Sequence, residues 1–133
     1  MEVIITNAAV LSYWGAVKST VWISDERFGH IRDHHLDDYG FYSRYIATAI
    51  QSPFLILADY KNERTAMFVG RTEREGINVI VKLARAEDED DRSFVVTMHP
   101  IGPKRLHRLA KANPIIYGSE LPFSDDGLDD QPE

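Results

Sequence analysis

Hydrophobic and polar residues recur along this chain with two different periods, and the change of period divides it. Glu2 to Leu11 opens on a β-rich run, Val3-Ile4-Ile5-Thr6, whose continuation through Ala8 and Ala9 is ambiguous. Ser12 to Ala16 reads as a turn around Gly15. Val17 to Ile23 alternates as a strand, with Val17, Ser19, Val21 and Ile23 on one side and Lys18, Thr20 and Trp22 on the other. The pattern then turns helical. Ser24 is an N-cap, and Asp25 and Glu26 put negative charge in a first turn, so a helix is predicted from about Asp25 to His35. Asp37, Asp38 and Gly40 break it. Phe41 to Gln51 predicts a second helix, with Tyr42, Tyr45, Ile46, Ala49 and Ile50 as its apolar stripe. Ser52-Pro53 ends that helix, because the residue before a proline is pushed out of helical geometry.

After Pro53 the period is two. Phe54–Tyr60, Arg64–Gly70, Ile77–Arg85 and Ser93–Met98 read as the four strands of an antiparallel meander. Ile77, Val79, Val81 and Leu83 face one way, and Asn78, Ile80, Lys82 and Ala84 the other. Gly76 is a plausible residue for positive φ in the turn before the third strand. Lys104 to Lys111 is a short basic helix, and Ile115-Ile116-Tyr117 is placed to dock back on the sheet. Helices followed by strands indicate an α+β class: an N-terminal strand or hairpin and two helices packed on one face of a four-stranded meander, then a short C-terminal helix. The domain is expected to span residues 1–118, followed by an acidic, mobile tail over 119–133.

Composition narrows the functional classes. With 133 residues the chain is long enough for one real core. It has no cysteine, which excludes a disulfide framework and a thiolate metal site. No apolar run approaches the roughly 20 residues of a membrane span, so a soluble, cytoplasmic protein is expected. The net charge of −6 argues against whole-surface binding to nucleic acid but leaves room for a local basic site. Much of the acid sits in Glu87 to Asp91 and in Asp125 to Glu133.

The stretch Ser24 to Leu36, SDERFGHIRDHHL, concentrates the candidate chemistry. On a helix, Phe28, Ile31 and His35 form the inward face, while Arg27, His30 and His34 form a second stripe beside it. A guanidinium and two imidazoles so placed can meet a phosphate or move protons near neutral pH. The same residues also suit a solvated polar face with one packed histidine. His30 and His34 at this spacing can also bind zinc, with Asp33, His35 or His99 as further ligands, although the glutamate of the metalloprotease H-E-x-x-H pattern is missing. The reading adopted carries no metal and no cofactor.

Thr20 to His35, TVWISDERFGHIRDHH, resembles the entry motif of phage-associated nucleases of the barnase, EndoU, colicin and RelE-like group. That motif is a strand, a capped helix, and then His-Ile, two variable residues, a basic residue and His. Val79-Ile80-Val81-Lys82 resembles the family's lysine-bearing strand, and Phe94-Val95-Val96-Thr97 its threonine-bearing strand. The likeness covers roughly residues 17 to 117 and includes two departures, His34 where arginine is common and the chain's acidity. It implies RNA cleavage without metal, with His30 in acid–base catalysis, Lys82 and Arg27 as phosphate binders and Thr97 as a donor to the scissile phosphate.

Such cleavage needs a general base for the 2′-OH, a general acid for the leaving 5′-oxygen and cations for the phosphorane. The candidate catalytic residues are therefore His30, His34, Lys82 and Thr97. The candidate substrate-binding residues are Arg27, His99, Lys104, Arg105 and Arg108. RNA is the expected substrate of this toxin-like or phage-element enzyme, and an inhibitory or immunity protein is the expected partner. The alternative is a non-catalytic α+β protein-binding module of the same fold.

Overall fold

The computed structural model describes residues 1–24, 26, 29 and 43–119. Most of the helix expected over 25–35, including Arg27, His30 and His34, and the tail beyond residue 119 lie outside the described residues. In chain order the elements are β1 (Glu2–Ile4), α1 (Ala8–Trp14), β2 (Thr20–Trp22), a 3-10 turn (Ser43–Tyr45), α2 (Ile46–Gln51), β3 (Leu55–Ala58), β4 (Thr65–Arg71), β5 (Gly76–Lys82), β6 (Ser93–Ile101), α3 (Pro103–Ala112) and β7 (Ile115–Gly118).

All of these strands belong to one seven-stranded sheet in the order β1-β2-β6-β5-β4-β3-β7. The ladder from β3 to β6 is antiparallel throughout. The expectation of four strands is corrected to seven, because both ends of the chain add to the meander. β1 and β2 pair with each other, and β2 lies parallel to β6 through Val21–Ser93 and Trp22–Phe94. At the other edge β7 pairs with β3. The opening segment is therefore not a hairpin: a helix separates β1 from β2. That helix replaces the turn expected at Ser12–Ala16. Asn7 accepts a hydrogen bond from Ala9 N at 2.9 Å as its N-cap, and Gly15 follows at φ 80°.

The sheet is covered on both faces, which is why β3, β4 and β5 are nearly continuous apolar runs. One face carries Ile56, Phe68, Val79, Val81 and Met98 against Val10 of α1 and Ile46, Ala49 and Ile50 of α2. The opposite face carries Leu55, Leu57, Met67 and Val69 against Leu106 of α3. α1, which is not among the expected helices, and α2 thus lie on one face of the sheet, while α3 covers the other.

Two details fix the frame. Ser93 is fully buried; its hydroxyl accepts from Ala84 N at 3.0 Å and donates to Lys18 O at 2.7 Å, tying the approach to β2 to the β5–β6 connection. The β4–β5 turn does not use positive φ at Gly76, which is an ordinary strand residue. Thr72 builds it instead, with its hydroxyl accepting from Glu75 N at 3.0 Å.

Gly70 lies where α2 crosses β4. A Cβ there would stand 2.9 Å from both Cα and Cβ of Ala49, so no side chain fits without moving the helix. Gly70→Ala is expected to destabilise the fold by about 1–3 kcal/mol through overpacking. Urea unfolding checks this; a variant as stable as the wild type would show that α2 yields freely.

Candidate nucleic-acid interface

The candidate site is built on the sheet face opposite α1 and α2. Along β5 the side chains of Asn78, Ile80 and Lys82 point to this face by simple alternation. Their cross-strand partners on β6 are His99, Thr97 and Phe94 respectively. Strict alternation on β6 would put Phe94 and Thr97 on opposite faces. A β-bulge prevents that: between Ile80 and Val81 the register advances from Thr97 to Val95, and Val96 is the extra residue. The bulge brings Phe94 onto the face that already holds Thr97 and Lys82.

α3 covers one end of this face and leaves the other open, producing two clefts with Thr97 between them. The first, of about 610 Å³, is lined by Trp22, Arg64, Lys82, Arg92 and Phe94, with Ser24, Asp90 and Asp91 at its walls. Lys82 is half-buried there, and its Nζ donates to Glu63 O. The guanidinium of Arg92 sits 4.1 Å from the centre of the Trp22 ring, a cation–π stack. Phe94 keeps 40 % of its surface exposed beside it. Lys18 anchors the acidic loop of this wall by donating to the backbone carbonyls of Asp88 and Asp91.

Arg64 adopts φ 47°, a left-handed conformation that glycine or asparagine would take at lower cost. Its side chain is held in return: Nε donates to Leu83 O at 3.1 Å, and the guanidinium lies 3.0 Å from the Glu63 carboxylate. Strained backbone at a non-glycine residue, kept at the wall of a cleft, marks a position where the side chain matters.

The second cleft, of about 590 Å³, lies between the β5–β6 pair and α3 and includes Asn78, Ile80, His99, Arg105, Arg108 and Leu109. Asn78 is 3 % exposed, and its Oδ1 has no hydrogen-bond partner. An unpaired buried amide oxygen costs about 1–3 kcal/mol.

Of the residues singled out from sequence, Lys82 lies in the first cleft, Thr97 on the strip between the clefts, and His99, Arg105 and Arg108 in the second. Lys104 stands apart from both, at the start of α3 beside Gly102 and Glu75. Arg27, His30 and His34 lie outside the described residues, and with them the zinc alternative. Among the described residues no group of three or more histidines, aspartates or glutamates is arranged to hold a metal ion. Sequence reasoning missed Trp22, Arg64, Arg92, Phe94 and Asn78. Trp22 had one legible signal, its place among Lys18 and Thr20 on the less apolar side of its strand.

Residues 7–118 match the family described as phage-Barnase-EndoU-ColicinE5/D-RelE like nuclease2. The chain belongs to this family. The match takes in every element from α1 to β7, so both clefts of this BECR-type nuclease family member fall inside it. Comparison with curated proteins and with solved structures finds no match. Nuclease membership makes nucleic acid the class of substrate, and it directs attention to the cationic, aromatic face rather than to the acidic remainder of the surface. No helix among the described residues is long and apolar enough to cross a membrane.

Proposed function

We propose that the protein is a metal-independent ribonuclease that cleaves RNA by attack of a 2′-OH on the adjacent phosphodiester. The observation that carries this reading is the first cleft: Lys82 and Arg64 stand beside Trp22, Arg92 and Phe94. Cations offset phosphate charge, and exposed aromatic rings stack on unpaired bases for about 1–3 kcal/mol each. In this mechanism a base takes the 2′-OH proton, an acid protonates the departing 5′-oxygen, and the product is a 2′,3′-cyclic phosphate. Lys82 would hold the non-bridging oxygens as charge grows in the phosphorane, and Thr97, on the same face, would donate to the same phosphate.

His30 and His34 supply the two proton-transfer roles, because imidazole titrates near neutral pH. The segment that carries them continues from Ser24, itself on the wall of the first cleft. Arg27 belongs to the same stripe and is assigned to phosphate. His99, Arg105 and Arg108 extend binding along the strand, and Lys104 contacts backbone beyond them. The same reading carries a cytoplasmic site of action and an inhibitory or immunity protein as partner.

The test is incubation of the purified protein in EDTA with a mixed RNA pool and with DNA of the same sequences. RNA is expected to be cut to 2′,3′-cyclic phosphate ends and DNA to stay intact. Cleavage only with added metal would return the assignment of His30 and His34 to zinc. Tight binding of a protein partner with no cleavage of any RNA would favour the non-catalytic module.

A further inference from the structure

We propose that a third cavity, of about 640 Å³, is a stacking subsite for an unpaired nucleotide flanking the one held at Lys82. The proposal rests on the ribonuclease reading for its substrate and on this cavity for its chemistry. The cavity lies at the end of the sheet, where the turn between β3 and β4 meets the last residues of α1 and the connection from α3 to β7. Tyr13, Trp14, Tyr60 and Pro114 line it together with Arg64. Tyr13 is 51 % exposed and Tyr60 63 %. Single exposed apolar side chains are ordinary, but two tyrosines and a tryptophan on one cavity mark a binding surface.

The rings are held in place. Trp14 packs against the core cluster beneath α2, and Tyr13 meets it edge-on with ring centres 4.9 Å apart. Tyr60 is fixed through its backbone, whose N–H donates to Asn113 Oδ1 at 3.1 Å. Asn113 in turn donates from Nδ2 to Leu109 O at 3.0 Å. Lys61 Nζ lies 5.6 Å from the centre of the Tyr60 ring and puts a cation beside it. The acids on the walls are already engaged. Asp59 accepts from Lys61 N and Asn62 Nδ2, both at 2.9 Å, and Glu63 pairs with Arg64 at 3.0 Å and Arg85 at 3.6 Å. A bare phosphate would leave the rings unused, and an apolar ligand would leave the cations unused. A nucleotide uses both, with its base on a tyrosine and its phosphate at an arginine.

Continuity with the first cleft selects RNA as the occupant. Arg64 lines both cavities. It directly precedes Thr65, the cross-strand partner of Lys82. An RNA strand with its scissile phosphate at Lys82 therefore meets Arg64 next and the aromatic walls after it. The contacts of Arg64 engage Nε and one terminal nitrogen, and a guanidinium has a second terminal nitrogen for a phosphate oxygen. The left-handed backbone of Arg64 falls at this junction. Every base has a π-face, so the subsite discriminates unpaired from paired nucleotides rather than one base from another.

The experiment is titration of the full chain with 2′-fluoro RNAs, which lack the attacking 2′-OH, two and four nucleotides long. Separate probes carry the two added nucleotides on the 5′ or the 3′ side. Binding is followed by NMR chemical shifts and calorimetry for wild type, Tyr13→Ala and Tyr60→Ala. Wild type is expected to bind one of the longer probes about ten-fold tighter than the dinucleotide. Both variants should lose most of that gain. If Tyr13→Ala fails to fold for want of its contact with Trp14, Tyr60→Ala decides, since its ring is mostly exposed and its backbone bond to Asn113 is kept. Equal affinity of wild type for short and long probes, or a gain kept in Tyr60→Ala, overturns the subsite. Such a result together with RNA cleavage by the wild type in EDTA leaves the ribonuclease reading standing. A gain abolished by Tyr60→Ala in a protein that cuts no RNA supports the subsite and overturns the ribonuclease reading instead.

Discussion

Replacing His30 by alanine will slow RNA cleavage about 10²- to 10⁴-fold, the usual effect of losing one proton-transfer group. The expectation comes from placement in the sequence. On the helix predicted for Asp25 to His35, His30 lies with Arg27 and His34 on the stripe beside the packed face, not among Phe28, Ile31 and His35. Its removal should therefore leave thermal melting nearly unchanged. His35→Ala should do the reverse, lowering the melting temperature before it affects rate at a temperature where the variant is folded. Lys82→Ala provides the comparison on the sheet, where loss of a cation aimed at the developing charge typically costs about 10²- to 10³-fold. The assay is initial cleavage rate in EDTA with melting curves for each variant. Full activity in His30→Ala would remove it from the mechanism, and equal thermal losses in His30→Ala and His35→Ala would show that both are packing residues.

The largest stability effect is expected at Phe68. It is fully buried on the central strand β4, opposite Ile56 on one side and Val79 on the other, all in the cluster beneath α2. Phe68→Ala removes a ring that no neighbour can replace and should cost about 3–5 kcal/mol. Against a typical total of about 5–15 kcal/mol, that lowers the melting temperature by more than about 10 °C. Phe94→Ala is the contrast: with its side chain at the open cleft it should melt within a few degrees of wild type and bind RNA more weakly. A Phe68→Ala protein that melts with the wild type would mean the cluster beneath α2 is loosely packed.

The central meander is legible in the sequence because its strands are adjacent both in the chain and in space. The alternation of Ile77 to Lys82 places Lys82 on the face away from α2 without any tertiary information. What escapes depends on long-range pairing. β2 is three residues long, and nothing in Thr20-Val21-Trp22 indicates that it will lie parallel to β6. α1 is seven residues with a single buried side chain, Val10, so it shows little periodicity; Asn7 before it is its clearest sign. The bulge at Val96 is invisible in a run of β-formers, and without it Phe94 and Thr97 would point apart. Arg64 and Arg92 come from two separate connections and Trp22 from the end of β2, and they meet only in the folded chain. In sequence Asn78 is an ordinary polar residue of an alternating strand; its burial and orphaned oxygen arise only when α3 packs over it.

The parallel pairing of β2 with β6 also sets an order in time. Trp22, one wall of the Lys82 cleft, is held in the sheet by residues made about seventy positions later, Ser93 and Phe94. During synthesis the first part of this wall leaves the ribosome with only β1 to pair with, and waits through the production of the whole meander for β6. A nascent chain shorter than β6 has the histidine-bearing segment and even the lysine strand, yet it has no cleft. Closing so long a loop is slow compared with forming the hairpins between β3 and β6. The functional face is thus among the last parts of the molecule to be completed, and a truncated or stalled product leaves the ribosome without it.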